Sequence, residues 1–342
     1  MSIIQAICDA ARLWEDPAYS HRAEACRKTL TKDNRFSEES IAFAVNQQMS
    51  LLTEIDLLAW EDELKTKVSK IVGVINPGNI PLVELQDFLA VILSGHRYLG
   101  SVSSKSPFLF PAFLAEIRRQ GGHPHATLVM QKDVLGHCQA LIASGTTETI
   151  SEVSSLAKGA GLALSDCWFR THRFSLAILD GWEDEETLLM LAEDALMHEG
   201  MGCRSTAMVF APTGTGIDGV LEAFAVHRGM FPAHEKTAKS LQMQQAYLDA
   251  IQIPNAYAEE FQFLLSKGEP DEQSPGHVRW VTYDDMSFVL DWILHHQDQI
   301  QCAYSNERLL EDHPGWEPLG TAQRPSLGWC PDGRSHQSFL AI

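Results

Sequence analysis

Apolar and polar positions along this chain follow two rhythms, helical at first and then strand and helix in turn. Through residues 1–69 apolar side chains recur at steps of three and four. Ile41, Ala44, Val45, Met49, Leu52 and Ile55 fall on one face. Ser37 followed by Glu38-Glu39 offers a cap and early acid for a helix start. From residue 70 the period changes. The β-branched run Ile71–Ile75 stops at Asn76-Pro77-Gly78, and Leu82–Leu93 resumes helical spacing. Arg97–Val102, the polar turn Ser103–Pro107 and Phe108–Ile117 repeat strand, turn and helix. Ala126–Met130, Gln139–Ala143 and Phe174–Leu179 read as further strands, and the turn Ser144–Thr149 leads into a helix. Alternation of this kind predicts a parallel sheet.

The next block centres on a thiol. Leu188, Leu191, Ala192, Ala195 and Leu196 share a helical face, the helix is expected to end near Gly200, and Cys203 follows at once. Ala207–Ala211 reads as a buried strand ended by Pro212. Beyond it the pattern predicts a helix over Gly216–Val226, a long helical stretch over Ala233–Lys267 broken near Ile253-Pro254, strands at Val278–Tyr283 and Ile300–Ser305 around a helix at Met286–Gln297, and a loop-like tail.

Composition narrows the classes. The 342 residues suffice for two domains, with 45% hydrophobic residues. Lys plus Arg number 26 against 45 Asp plus Glu, a net charge of −19, which argues against binding nucleic-acid backbone or an anionic membrane surface. Seven scattered cysteines without a Cys-x-x-Cys pair suggest neither a disulfide framework nor a zinc knuckle, and fit a reducing cytoplasm. No stretch approaches the roughly 18 to 20 apolar residues of a membrane span, and the start of the chain lacks a leader pattern.

Several positions could carry chemistry. A nucleophilic thiol needs access, a route to the thiolate and donors for an oxyanion, and the small residues around Cys203 provide access. A buried structural cysteine is the competing reading. Asn79, at a junction where helix-start amides and its own amide could receive an oxyanion, could equally be an ordinary turn residue. The turn Gly145-Thr146-Thr147 could set amides and hydroxyls against a phosphate or merely cap its helix. The acidic run Trp182–Glu186 reads as a dipole-matched helix start. His123, His125, His137, His295 and His296 lack partners at metal-ligand spacing. His172 and His198 could tune Cys203 or sit satisfied elsewhere.

Taken in order, Asn76–Leu82, Gly95–Pro107, Ser144–Thr147 and Gly200–Arg204 resemble landmarks of the aldehyde dehydrogenase superfamily. Asp271-Glu272 before Val278–Asp285, and Pro318–Gln323, look like its late landmarks. More narrowly the chain resembles the acyl-CoA reductase branch, the long-chain fatty acyl-CoA reductases of bacterial luminescence systems and their shorter relatives. The resemblance implies an α/β fold with a helical segment at 1–69, a Rossmann-like cofactor domain at 70–195, a catalytic domain carrying Cys203 at 196–305 and a C-terminal return segment at 306–342. It implies that Cys203 is acylated by an acyl-CoA and that Asn79 and the Cys203 amide form the oxyanion hole. Gly145, Thr146 and Thr147 would lie beside a nicotinamide cofactor, Ser103 and Ser104 would face its adenosine half, and Glu272 would hold the ribose next to the nicotinamide. The expected cofactor is NADPH, with NADH as the alternative, and the expected product is a free aldehyde. The expected assembly is a homodimer.

Two departures matter. Ser101 stands where aldehyde-oxidising members place a lysine, which leaves the choice between NADP and NAD open. The stretch Arg170–Ser175 contains no glutamate to activate water, which favours reduction over hydrolysis of an acyl-enzyme. The competing functions are a cysteine-dependent acyltransferase or thioesterase without nicotinamide, and a non-catalytic homologue acting as an interaction protein.

Overall fold

A computed structural model describes residues 2–66 and 68–341. The chain divides into two compact units, one running to His172 and taking up the segment from Ser326 onward, the other spanning Arg173–Pro325.

The first unit begins with four helices, α1 (Ile3–Glu15), α2 (Ser20–Leu30), α3 (Glu38–Ser50) and α4 (Glu54–Leu64). Ser2, Ser37 and Thr53 cap α1, α3 and α4, and at α3 Ser40 returns the bond to the Ser37 amide, closing a capping box. Ile41, Ala44, Val45, Met49 and Leu52 are buried as their spacing predicts. Ile55 is 80% exposed, because α3 ends at Ser50 and α4 starts a new face.

Strands and helices then alternate: β1 (Ile71–Ile75), α5 (Leu85–Leu93), β2 (Arg97–Ser101), α6 (Leu109–Arg119), β3 (Ala126–Val129), α7 (Gln131–Leu135), β4 (Ala140–Ser144), α8 (Thr147–Gly159) and β5 (Cys167–Arg170). The sheet is parallel throughout, in the order β3-β2-β1-β4-β5. The four-residue β5 escaped the sequence pattern. Val72, Val74, Tyr98, Ala140 and Ile142 face the helical layer, where Trp14 of α1 meets Phe113 of α6 edge-on at 5.1 Å.

The second unit holds β6 (Phe174–Ile178), α9 (Glu185–Leu196), β7 (Thr206–Pro212), α10 (Asp218–Met230), α11 (Glu235–Ala250), β8 (Asn255–Tyr257), β9 (Leu264–Lys267), β10 (His277–Tyr283), α12 (Met286–His295), β11 (Ile300–Ser305), α13 (Glu307–Asp312) and β12 (Glu317–Pro318). Its sheet order is β12-β11-β6-β7-β10-β9-β8, parallel except for β8 against β9. The helical stretch expected over Ala233–Lys267 is interrupted near Ile253-Pro254 as its pattern predicts, with α11 ending at Ala250, but its second half is corrected: beyond Pro254 the chain forms two short strands at the sheet edge. Met208–Ala211 in β7 are wholly buried because helices cover both faces, α9 and α10 on one and α12 on the other. The tail is not merely loop: α13 and β12 belong to the second unit, and α14 (His336–Leu340) packs on α4 and α5 of the first.

Candidate functional site

In the first unit the residues singled out by sequence cluster at one edge of the sheet. Ile75 pairs with Ser101 and with Ala143, so the turns after β1, β2 and β4 leave the same end, the carboxyl end. Successive strands step from β1 to β2 and β3 on one side and to β4 and β5 on the other, so the order reverses between β1 and β4. Open parallel sheets bind ligands at the carboxyl edge beside such a reversal. Asn79 follows β1, Ser103 and Ser104 follow β2, and Gly145, Thr146 and Thr147 follow β4.

The details refine the expectation. Helix α5 begins at Leu85 rather than Leu82, because buried Leu82 stands at φ 58°, a left-handed conformation that no helix continues through. Asn79 is half-buried in a turn, separated from the first amides of α5. Gly78 packs against the next turn so closely that a Cβ there would stand 2.7 Å from Ser103 Cβ, so the two turns interlock only with glycine present. Ser103 Oγ accepts the Lys105 amide at 3.3 Å, and Asn34 holds the Lys105 carbonyl at 2.9 Å. Thr146 caps α8 by accepting the Thr149 amide at 3.3 Å, while exposed Glu148 turns its carboxylate to its own amide and to the Thr146 hydroxyl, which lowers its pKa. Small and hydroxyl-bearing residues at a reversal point, with a helix N-terminus behind them, fit a dinucleotide.

The second unit contains Cys203, half-buried on the loop that enters β7. Three consecutive residues before it, His198, Glu199 and Gly200, have φ of 52°, 61° and 67°. For the two non-glycine residues this backbone is strained. Glu199 is buried and faces buried Arg228 at 3.4 Å, and it also accepts the His234 amide at 3.2 Å. A Cβ on Gly200 would press on the Ala195 carbonyl at 2.9 Å and reach the Gly276 amide at 3.5 Å. The loop carrying exposed Glu272 thus closes against the residue three before Cys203.

On the other side of the thiol, buried Arg204 donates to the carbonyls of Thr321 and Ala322 at 2.8 Å and to the Glu317 carboxylate at 2.9 Å. Ser175 Oγ donates to the Cys203 carbonyl at 2.9 Å and accepts the Cys302 amide at 3.1 Å. Asp194 in α9 accepts the amides of Gly320 and Ala322 at 2.7 and 3.0 Å. Burial nonetheless pushes its carboxyl up to about 7. The motif Pro318–Gln323 is thereby docked beside the Cys203 loop, and its contact is through Arg204 and Asp194, to which sequence alone assigned no role.

Burial acts on five other thiols. It raises the pKa of Cys8, Cys26 and Cys167, and pushes Cys138 to about 11 and Cys302 to about 12. His198 is 6% exposed, and desolvation lowers its imidazole to about 4, so it is neutral at physiological pH and cannot stabilise a thiolate as an imidazolium. His172 is exposed in the link after β5. Among the described residues no three His, Cys, Asp or Glu side chains gather as a metal cluster, and no helix is long and apolar enough to cross a membrane.

No protein-family model and no curated protein matches the sequence. Solved structures do match in fold. Methylmalonate-semialdehyde dehydrogenase from Oceanimonas doudoroffii superposes with a TM-score of 0.72 at 13% identity, over 99% of this chain and 84% of that one. An oxidoreductase from Marinobacter aquaeolei gives 0.74 at 13% identity, over 98% and 81%. An aldehyde dehydrogenase from Bacillus cereus, solved as an NAD+ complex, gives 0.68 at 13% identity, over 91% and 74%. Two α/β units, one a five-stranded parallel sheet with its turns at the carboxyl edge and the other carrying Cys203 at the entrance to its central strand, make this an aldehyde dehydrogenase-like fold.

Proposed function

We propose that the chain reduces an acyl-CoA, of long-chain type, to the aldehyde with NADPH as reductant. Cys203 Sγ attacks the thioester carbonyl and coenzyme A leaves as its thiol, with the acyl group now a thioester on Cys203. The oxyanion formed on attack accepts hydrogen bonds from the Asn79 amide and the Cys203 backbone amide. Gly145, Thr146 and Thr147 would hold a nicotinamide cofactor at its phosphates, Ser103 and Ser104 would face its adenosine half and Glu272 would hold its ribose. A bound nicotinamide supplies hydride. That hydride would displace the Cys203 sulfur from the acyl carbon, so that the acyl group would leave as the aldehyde and Cys203 would return as the thiolate.

The observation that supports reduction over hydrolysis is the state of the carboxylates anchoring the Cys203 loop. Glu199 is held by Arg228, Glu317 by Arg204 and Asp194 by two backbone amides, and Arg170–Ser175 contains no carboxylate at all. An acyl-enzyme without a base to activate water survives until hydride arrives. The test is mass spectrometry of the intact protein with a long-chain acyl-CoA. An acyl adduct on Cys203 is expected, lost on adding NADPH as aldehyde appears and absent in Cys203→Ala. An adduct indifferent to NADPH would point to acyl transfer, and no adduct would refute the assignment of Cys203.

A further inference from the structure

Just after the turn that carries Asn79 stands a carboxyl group that the proposed reaction does not use. Glu84, the residue before α5, is fully buried, and neither of its carboxyl oxygens meets a hydrogen-bond donor in bonding geometry. It is only five residues from Asn79 and two from Leu82, whose left-handed backbone closes the turn.

Other buried polar groups at this edge of the sheet lack protein partners too. They are the hydroxyl of Tyr98 in β2, the hydroxyl of Ser106 in the turn after β2, and the side-chain nitrogen of Asn76 directly after β1. The Tyr98 ring lies across the Cα of Gly100, so its hydroxyl reaches toward the carboxyl end of β2. It is packed between Phe88 of α5 and Phe110 of α6, with ring centroids 5.3 and 5.9 Å away. Glu84 and Tyr98 feel each other electrostatically. A buried acceptor-only carboxylate in these surroundings would be costly, whereas a neutral carboxyl can donate to the phenol oxygen or to an internal water and accept from the others.

We propose that Glu84 is a positioning residue for Asn79, uncharged in its sealed site beside the Tyr98 hydroxyl, so that the Asn76–Leu82 turn keeps the shape that aims the Asn79 amide. The inference rests on the oxyanion role proposed for Asn79. The ionisable groups around Glu84 favour its neutral form. Asp87, one turn on in α5, is a carboxylate. Burial works to raise it, but Arg170 at the end of β5 and His336 of α14, whose ring nitrogen lies 2.8 Å away, outweigh burial and bring it to about 2. Tyr98 brings no positive charge from β2. Burial outweighs the opposing pull of Glu84's own backbone amide and, with the Asp87 charge adding to it, pushes the Glu84 carboxyl up to about 7.

The sign of the linkage follows. A carboxyl that holds its proton more tightly when folded than when unfolded contributes stability fully below the unfolded value near 4.3, and that stability is lost as pH rises through about 7. Two measurements on the full chain, wild type against Glu84→Gln, test the inference. In thermal unfolding, the wild-type midpoint should drop between pH 5.5 and 8.5 by about 5 °C more than that of the Gln variant, whose amide cannot ionise. In acylation of Cys203 by an acyl-CoA, the ratio of wild-type to variant rate cancels the titration of Cys203 itself, and it should fall at least tenfold between pH 6 and 9. Tyr98→Phe should slow acylation at pH 6 without moving the Cys203 alkylation rate. A ratio constant with pH overturns the positioning role, and equal melting differences overturn the uncharged state. If the wild type is not acylated at any pH, the functional reading fails and the role for Asn79 with it, while the melting comparison still decides the charge of Glu84.

Discussion

The strained run ahead of Cys203 depends on one buried ion pair, and breaking that pair gives a quantitative forecast. Glu199 and Arg228 approach to 3.4 Å with side chains 6% and 3% exposed, and desolvation lowers the Arg228 pKa even though Glu199 opposes it. At an effective dielectric of 20, two unit charges at that separation attract by about 5 kcal/mol. Removing one partner from such a pair costs about 3 to 5 kcal/mol, because the other charge stays buried without compensation. Relief of the left-handed backbone at Glu199 returns only about 1 to 2 kcal/mol, and only if glycine replaces it. Glu199→Gln and Arg228→Met should therefore each lower the melting temperature of the unit Arg173–Pro325 by roughly 6 to 20 °C, taking about 2 to 4 °C per kcal/mol for a unit of this size. The double variant should lose less than the sum, since two neutral side chains leave no orphaned charge. Alkylation of Cys203 by a small haloacetamide should speed up in the single variants as the His198–Gly200 run loosens. Strictly additive melting shifts, or single variants within a degree of wild type, would show that the pair does not hold the loop.

Two further outcomes follow from the first unit. Asn79→Ala should slow acylation of Cys203 by roughly a hundredfold or more through loss of an oxyanion donor, with the melting temperature little changed, and single-turnover acylation at saturating acyl-CoA measures it. Gly78→Ala should cost about 1 to 3 kcal/mol, because its Cβ would meet Ser103 Cβ at 2.7 Å, whereas Gly136→Ala, where a Cβ meets nothing within 4 Å, should be nearly neutral in the same denaturation assay.

The strands β1, β4 and β7 are largely apolar or β-branched runs because helices cover both faces of a parallel sheet, and such runs stand out against any background. The cap at Ser37 and the thiol loop before β7 were legible for the same local reason, since a helix start and a strand entrance are written in adjacent residues. Short edge strands were not. Asn255–Tyr257 and Leu264–Lys267 are only three and four residues long, and their apolar residues match a helical period as well as an extended one.

What the sequence by itself determined is the order of elements and the candidates: a thiol on a small-residue loop, an Asn in the turn after the first strand, a Gly-Thr-Thr turn before a helix, and no carboxylate between Arg170 and Ser175. Tertiary structure alone decided which ionisable groups are spent. Asp87 is held by Arg170 and His336, 83 and 249 residues away, Arg204 by residues 113 to 118 further on, and Glu199 by Arg228. Glu84 was left buried with no basic partner to hold its charge. Burial and pairing set the charge of a side chain, and both are made by residues distant in sequence, so no local pattern could distinguish Glu84 from the many acidic residues that remain in water.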